Sequence, residues 1–355
     1  MQRRISRSLK LEKIKSMAQT LQESESFGPA LLVGAASLFF FLAIPFYGIY
    51  ASIILAAICA AAAYYRPNIG AALMLFAGLF AIAHQSTGLA WLYAFVFMGS
   101  AVLEMRFAPQ IFDWRLYAYT ILVVGSAFSP IPFAGAIAFI AFAFGCLQLG
   151  SERSIVFSLF SISCVMLLSS LWGVPNGMGL FVGNGQIYAP YLDSLMLKAH
   201  EVPIQNLVSG LIGAAASMLS FAGLQSLFEA LGKSAMNLAD LLIRGPLLMI
   251  LGAFCIGGYA IGYLPAKLKK NDFRQAISSA PILLGGLAAT AASIVYGGAP
   301  QFAPPVFSLL AIGAAAALDV SKTNLSREEQ ILANQAYSKF GKFGEEKAEI
   351  PNVKL

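Results

Sequence analysis

From Gly28 to Trp172 the chain is a succession of apolar runs, each about the 17–22 residues that cross a hydrocarbon core. They fall near 29–48, 50–65, 69–85, 87–104, 115–131, 133–150 and 154–173, and three more follow near 245–264, 276–296 and 303–319. A helix of that length satisfies its own backbone hydrogen bonds and needs no charge on its lipid-facing side chains. The pattern predicts an all-α polytopic transmembrane bundle of about ten spans, within a range of roughly nine to twelve.

The breaks between runs alternate in character. "IPFYG", "HQSTG" and "SPIPFAG" carry no charge, whereas the intervening breaks carry Arg66, then Arg106 and Arg115, then Arg153. With positive residues retained inside, the N-terminus is cytoplasmic and the uncharged turns are external. The first six runs then form three helical hairpins, and the seventh ends near Trp172 on the outside.

A conflict follows. "GVPNGMGLFVGNGQIYAPYLDSLMLKAHEVPIQN" (173–206) begins outside, and the span at 245–264 leads into "KLKKNDFRQ", which is strongly basic and belongs inside. The last two spans then return the C-terminal tail to the inside. The stretch from Gly173 to Arg244 must therefore start and finish outside, although "LVSGLIGAAASMLSFAGLQSLFEAL" within it is apolar enough to cross. Three arrangements satisfy or relax this constraint. Residues 207–224 form a re-entrant or surface-lying helix; the Gly-rich loop itself dips or crosses, making 207–231 a true span; or the charge rule fails at "KLKKNDFRQ". The first is favoured, because Leu224, Leu227, Phe228, Leu231, Ala235, Leu238 and Leu242 share one helical face while Glu229, Lys233, Asn237 and Asp240 lie largely on another.

Both ends of the chain are more polar. In 1–27, six Arg and Lys residues from Arg3 to Lys15 accompany Leu11, Ile14, Ala18 and Leu21 at helical spacing, as in a basic amphipathic helix on the inner membrane face. From Asp319 the chain changes character again: Ser326 and Glu329 have capping-box spacing, and Leu332, Ala333, Ala336, Tyr337 and Phe340 follow one stripe. The expected organisation is thus a basic segment (1–27), a seven-span region (28–173), an external loop with re-entrant or interfacial helices (174–243), a three-span region (244–320) and a cytoplasmic amphipathic helix with a flexible tail (321–355).

Composition agrees with the periodicity. The chain is 58% hydrophobic and 11% charged, with a mean hydropathy of +0.74, against about 25% charged residues in a soluble domain. The net charge of +6 resides in short segments between runs and in the tails, which fits topology signals and an anionic lipid surface and not nucleic acid. Cys59, Cys146, Cys164 and Cys255 each sit inside an apolar run without CxxC spacing, as small buried hydrophobes do. The first apolar run is too long for a signal-peptide core and reads as a first span. The lipid bilayer is the expected partner, in the cell membrane with both termini cytoplasmic, and a homo-oligomer is open.

Candidate chemistry is sparse, and nothing calls for a cofactor. Asp193, His200 and Glu201 in the external loop are three acid, base or ligand groups, without HExxH spacing. Glu104, Glu152, Arg153 and Arg244 lie at span ends, so no acidic residue stands at mid-depth for ion coupling. Pro304 and Pro305, read as a helix break, join Ser217 and Gln225 of the re-entrant segment as a candidate pathway. Leu332, Ala336, Tyr337 and Phe340 are the candidate docking stripe for a protein partner. Three functions remain open: a permease or carrier of a small or lipid-like solute, a membrane scaffold or anchor subunit, and an enzyme on a lipid-linked substrate using the external loop. A fluorescent protein fused after Leu355 is expected to fluoresce and alkaline phosphatase there to be inactive; an active phosphatase would overturn the orientation.

Overall fold

The computed structural model describes residues 26–44, 46–85, 87–105, 113–129, 131, 134–172, 204–243, 246–268, 272–297 and 302–321. Among them the architecture is helical, with no strand. We number the helices α1 (Ser26–Ala43), α2 (Ile49–Tyr65), α3 (Pro67–Gln85), α4 (Thr87–Met105), α5 (Trp114–Phe128), α6 (Ala134–Leu149), α7 (Ser151–Trp172), α8 (Leu207–Leu219), α9 (Phe221–Ile243), α10 (Pro246–Lys267), α11 (Arg274–Ser279), α12 (Ile282–Gly297) and α13 (Ala303–Ser321).

Helices occupy all ten places where an apolar run predicts a span. Five stretches are long and apolar enough to cross a membrane: Ser26–Ala43, Pro67–His84, Leu248–Lys267, Arg274–Val295 and Ala303–Ser321. The pair α8–α9 adds a sixth if it is one broken span, and Ile49–Tyr65, Thr87–Val102 and Ala134–Leu149 are shorter apolar helices. These are the features of an integral membrane protein. By length and composition they support five or six spans rather than about ten. The shortfall has a local cause: turns take residues that belong to the apolar runs. The run near 115–131 yields an α5 of 15 residues that ends at Phe128, and the run near 133–150 yields an α6 of 16 residues.

Small residues set how the helices pack. A Cβ at Gly262 of α10 would lie 2.6 Å from Ser154 Oγ and 2.7 Å from the Gly150 carbonyl, and one at Gly258 would collide with Ser158 Oγ. With only hydrogen at these positions, α10 seats directly on α7. In lipid, where apolar burial provides little drive between helices, such close backbone approach and the dispersion it allows hold a pair together. The buried hydroxyls at this contact are satisfied locally: Ser158 Oγ donates to the Ser154 carbonyl at 2.6 Å, and Ser154 Oγ to the Cys146 carbonyl at 2.9 Å. Bulky rings fill the adjacent space, with Phe142 edge-on to Phe254 at 5.2 Å and beside Phe157 at 5.5 Å. Gly150 itself takes φ +80°, the left-handed conformation that lets α6 end and α7 begin across one residue.

The pairings fix direction. Gly262 faces Gly150 and Ser154 while Gly258 faces Ser158 and Cys146, so α10 runs antiparallel to α7. Gly257 meets the Pro281 carbonyl and Phe254 meets Gly285, so α12 runs antiparallel to α10. Gly286 meets Pro304 and Ser308, while Asp319 accepts from the backbone N–H groups of Gln275 and Ala276 at 2.8 and 2.9 Å; α13 is therefore antiparallel to α11–α12. In the other half, Thr120 and Ser161 hydroxyls meet at 3.2 Å and Asp113 pairs with Arg153, making α5 and α7 parallel. Glycines also admit α1: Gly125 lies under the Phe40 backbone, Gly34 on Ala60, and Gly78 under the Phe40 ring.

Two consequences matter for function. The end of α7 and the start of α10 lie at the same end of the bundle, so residues 173–245 leave and rejoin it on one side. The charges also segregate: Arg66, Asp113, Arg115, Glu152, Arg153, Lys267, Asp272, Arg274 and Asp319 gather at the opposite, charge-rich end. Gly258→Leu is expected to destabilise by about 1–3 kcal/mol or more through overpacking, read as a lower Tm in detergent. Gly252→Leu on the same helix, where a Cβ meets nothing within 4 Å, is expected to leave Tm nearly unchanged.

Candidate functional site

A single residue, Ser220, separates α8 from α9, and the two helices meet at 72°. The break is chemically specified. Ser220 has extended backbone (φ −71°, ψ 160°), and its hydroxyl accepts from the Gly223 N–H at 3.0 Å, an N-cap on α9. The same hydroxyl donates to the Ser217 carbonyl at 2.6 Å. Gly223 is needed because a Cβ there would lie 2.6 Å from the Met218 carbonyl. That carbonyl, exposed by the interruption, accepts from the Trp91 indole N–H at 3.2 Å.

The break docks on the first turns of α4. Thr87 and Ser226 hydroxyls are 2.8 Å apart, and a Cβ at Gly88 would meet the Ser226 carbonyl at 2.8 Å and Ala230 Cβ at 2.9 Å. Ala83, Ala90, Ala214 and Met218 form a small apolar cluster beneath, with Leu79, Ile82, Trp91 and Ala94 packed against it. A cluster of polar groups thus lies beside these apolar residues, with its freed backbone groups answered by the Ser220 and Trp91 side chains. Its parts are neutral, so it suits hydrogen bonding to an uncharged group and offers no proton donor or acceptor of unusual strength.

The candidate pathway residues are divided by the fold. Ser217 and Gln225 lie on the two arms of the bent pair, both exposed, and Ser217 Oγ is bonded back to the Ala214 carbonyl at 2.8 Å. Pro304 and Pro305 lie in the first turn of α13, where a missing N–H costs no helical bond. They therefore start a helix rather than interrupt one, and the Pro304 carbonyl accepts from Ser308 Oγ at 2.9 Å. Asp193, His200 and Glu201, and the tail residues Leu332, Ala336, Tyr337 and Phe340, lie outside the described residues. So do residues 1–25 and 322–355.

Two acidic groups carry more structure than the sequence reading assigned them. Asp113 caps α5 by accepting from the Arg115 N–H at 2.9 Å, and its other oxygen pairs with Arg153 Nη2 at 2.5 Å. Asp-Trp-Arg at the start of an apolar run is an N-cap spacing and was available as a signal. Asp319, where the chain turns polar, is a buried residue of α13 whose carboxylate caps α11 from 43 and 44 positions away; no local pattern announces that pairing. Among the described residues no group of three His, Cys, Asp or Glu side chains could hold a metal ion. Compared with known proteins, the chain matches no family model, no curated protein and no solved structure.

Trp91→Phe removes the donor to the Met218 carbonyl and is expected to cost about 1 kcal/mol. Faster amide exchange over 217–223, with α12 unchanged, is the expected readout; equal acceleration in both would place the effect elsewhere.

Proposed function

We propose that this chain is a multi-pass membrane carrier for a small uncharged or lipid-like solute, with the bent pair α8–α9 as its moving element. The observation that carries the reading is the 72° break at Ser220. Interrupted helices expose backbone polar groups at a defined point in an apolar layer, a recurring way of building a neutral solute site there. Here the bent pair is held to α4 by few, breakable hydrogen bonds, from Trp91 to the Met218 carbonyl and between the Thr87 and Ser226 hydroxyls. A second support is charge placement. Among residues with described side chains, charge sits at the charge-rich end, apart from Glu229 on α9, which favours an uncharged cargo over one that needs a buried counter-ion.

In this reading all ten apolar places cross the bilayer in alternating directions, and the charge-rich end faces the cytoplasm of a cell membrane, as the positive-inside rule requires. Both termini are then cytoplasmic.

The test is flux through the purified full chain in phosphatidylcholine vesicles, measured with glycerol and a fluorescent phosphatidylcholine analogue. Acceleration of one cargo over empty vesicles is expected. Thr87→Cys with Ser226→Cys, oxidised across the 2.8 Å hydroxyl pair, is expected to cut that flux at least tenfold, with recovery on reduction. Unaltered flux in the locked protein would remove α8–α9 as the moving element, and no acceleration of either cargo would count against carriage.

A further inference from the structure

α9 divides its surface into three parts over the turns whose side chains are described. One face is protein-bound: Gly223, Leu227 and Ala230 are buried, with Ala230 and Ser226 against Gly88. A second face is apolar and exposed: Phe221 (85%), Leu224 (42%), Phe228 (72%) and Leu231 (41%). A third carries Gln225 and Glu229, also exposed. α8 carries no charged residue, and its most exposed large side chains are Val208, Ile212 and Leu219, beside the exposed Ser209 and Ser217. The two arms diverge by 72° at Ser220.

The contacts with α4 give the direction. Met218, before the break, bonds to Trp91, one turn inside α4. Ser226, eight positions later, bonds to Thr87, the first residue of α4, and Ala230 still lies against Gly88. Past the break the chain reaches the first turn of α4, where Ser226 and Ala230 both meet Gly88, and α9 ends at Ile243, just before α10 begins at Pro246 at the same charge-poor end.

We propose that α9 is a lipid-surface helix at the charge-poor end of the bundle. Its Phe221–Leu224–Phe228–Leu231 stripe enters the headgroup and acyl boundary, while Gln225 and Glu229 face water. The partner is the phospholipid surface itself. An apolar stripe beside a polar one is the composition of a helix lying in that boundary, with its apolar side about 5–10 Å deep. This inference rests on the chain being a membrane protein and not on carriage of a solute.

Spin labels placed singly at Leu224, Gln225, Phe228, Glu229 and Leu231 test it, in the full chain with its four cysteines replaced by alanine, in phosphatidylcholine–phosphatidylglycerol vesicles. Oxygen and nickel-chelate accessibilities give depth. Leu224, Phe228 and Leu231 are expected to be oxygen-accessible at depths within about 5 Å of one another, and Gln225 and Glu229 to be nickel-accessible. A spanning helix would instead change depth by about 1.5 Å per residue, roughly 10 Å from Leu224 to Leu231, and that gradient would overturn the proposal. Low accessibility of the stripe to both reagents would overturn it too, by showing a protein cover such as a second copy. Should the cysteine-free chain not fold, a photoreactive benzoyl-phenylalanine at Phe228 or Gln225 in the otherwise native chain decides the question: a phospholipid adduct from Phe228 alone supports it, and a protein adduct from Phe228 contradicts it.

Discussion

The rest of the bundle depends on one close contact, the seating of Gly258 and Gly262 of α10 on Ser154, Ser158 and Gly150. Interaxial closeness of this kind requires hydrogen where other residues carry a side chain. It fixes more than distance. Because Gly262 meets the beginning of α7 and Gly258 the next turn, the contact sets an antiparallel register, from which α12 and then α13 take theirs through Pro281, Gly285 and Gly286. The same register returns the chain to one end of the bundle after residues 173–245, so the long excursion between α7 and α10 cannot end across the bilayer from where it began. The bent pair lies within that excursion, where a stretch apolar enough to cross is broken at Ser220.

Many polar groups within this packing are answered close at hand. Ser154, Ser158 and Ser217 bond to carbonyls a turn or two away. The two acidic residues best integrated into the fold, Asp113 and Asp319, stand at the charge-rich end, where Asp113 pairs with Arg153 and Asp319 accepts from backbone N–H groups of α11. In a low-dielectric layer an unanswered group costs several kcal/mol, and the polar groups among the described residues stand mostly at helix ends, in hydroxyls bonded to nearby carbonyls or to one another, and at Ser220.

Much of this was legible in the sequence because lipid imposes a length. Apolar runs located α1–α7 and α10–α13, and the alternation of charged and uncharged breaks anticipated the segregation of Arg66, Arg115, Arg153, Lys267 and Arg274 to one end. The demand that 173–244 start and finish on one side came from charge alone, and the α7–α10 register meets it on independent grounds. What the sequence obscured has physical reasons. Pro304 and Pro305 resemble a helix break by residue type, but proline in a first turn initiates, and only the position of Ala303 distinguishes the two. Asp319 looks like the start of a polar tail because its partners, the amides of Gln275 and Ala276, carry no side-chain signature. Glycines 258 and 262 are ordinary in an apolar run until the opposing serines are known. At Ser220 the signals were local, a serine three residues before a glycine, yet an apolar run on both sides hid the turn.

The most direct test of the account is disulfide scanning between α7 and α10 in native membranes. Ser154→Cys with Gly262→Cys is predicted to cross-link, and Ser154→Cys with Phe254→Cys, two turns further along α10, is predicted not to. Cross-linking of the second pair and not the first would mean a parallel or shifted α10, and would contradict the same-side return of residues 173–245 on which the placement of α8 and α9 rests.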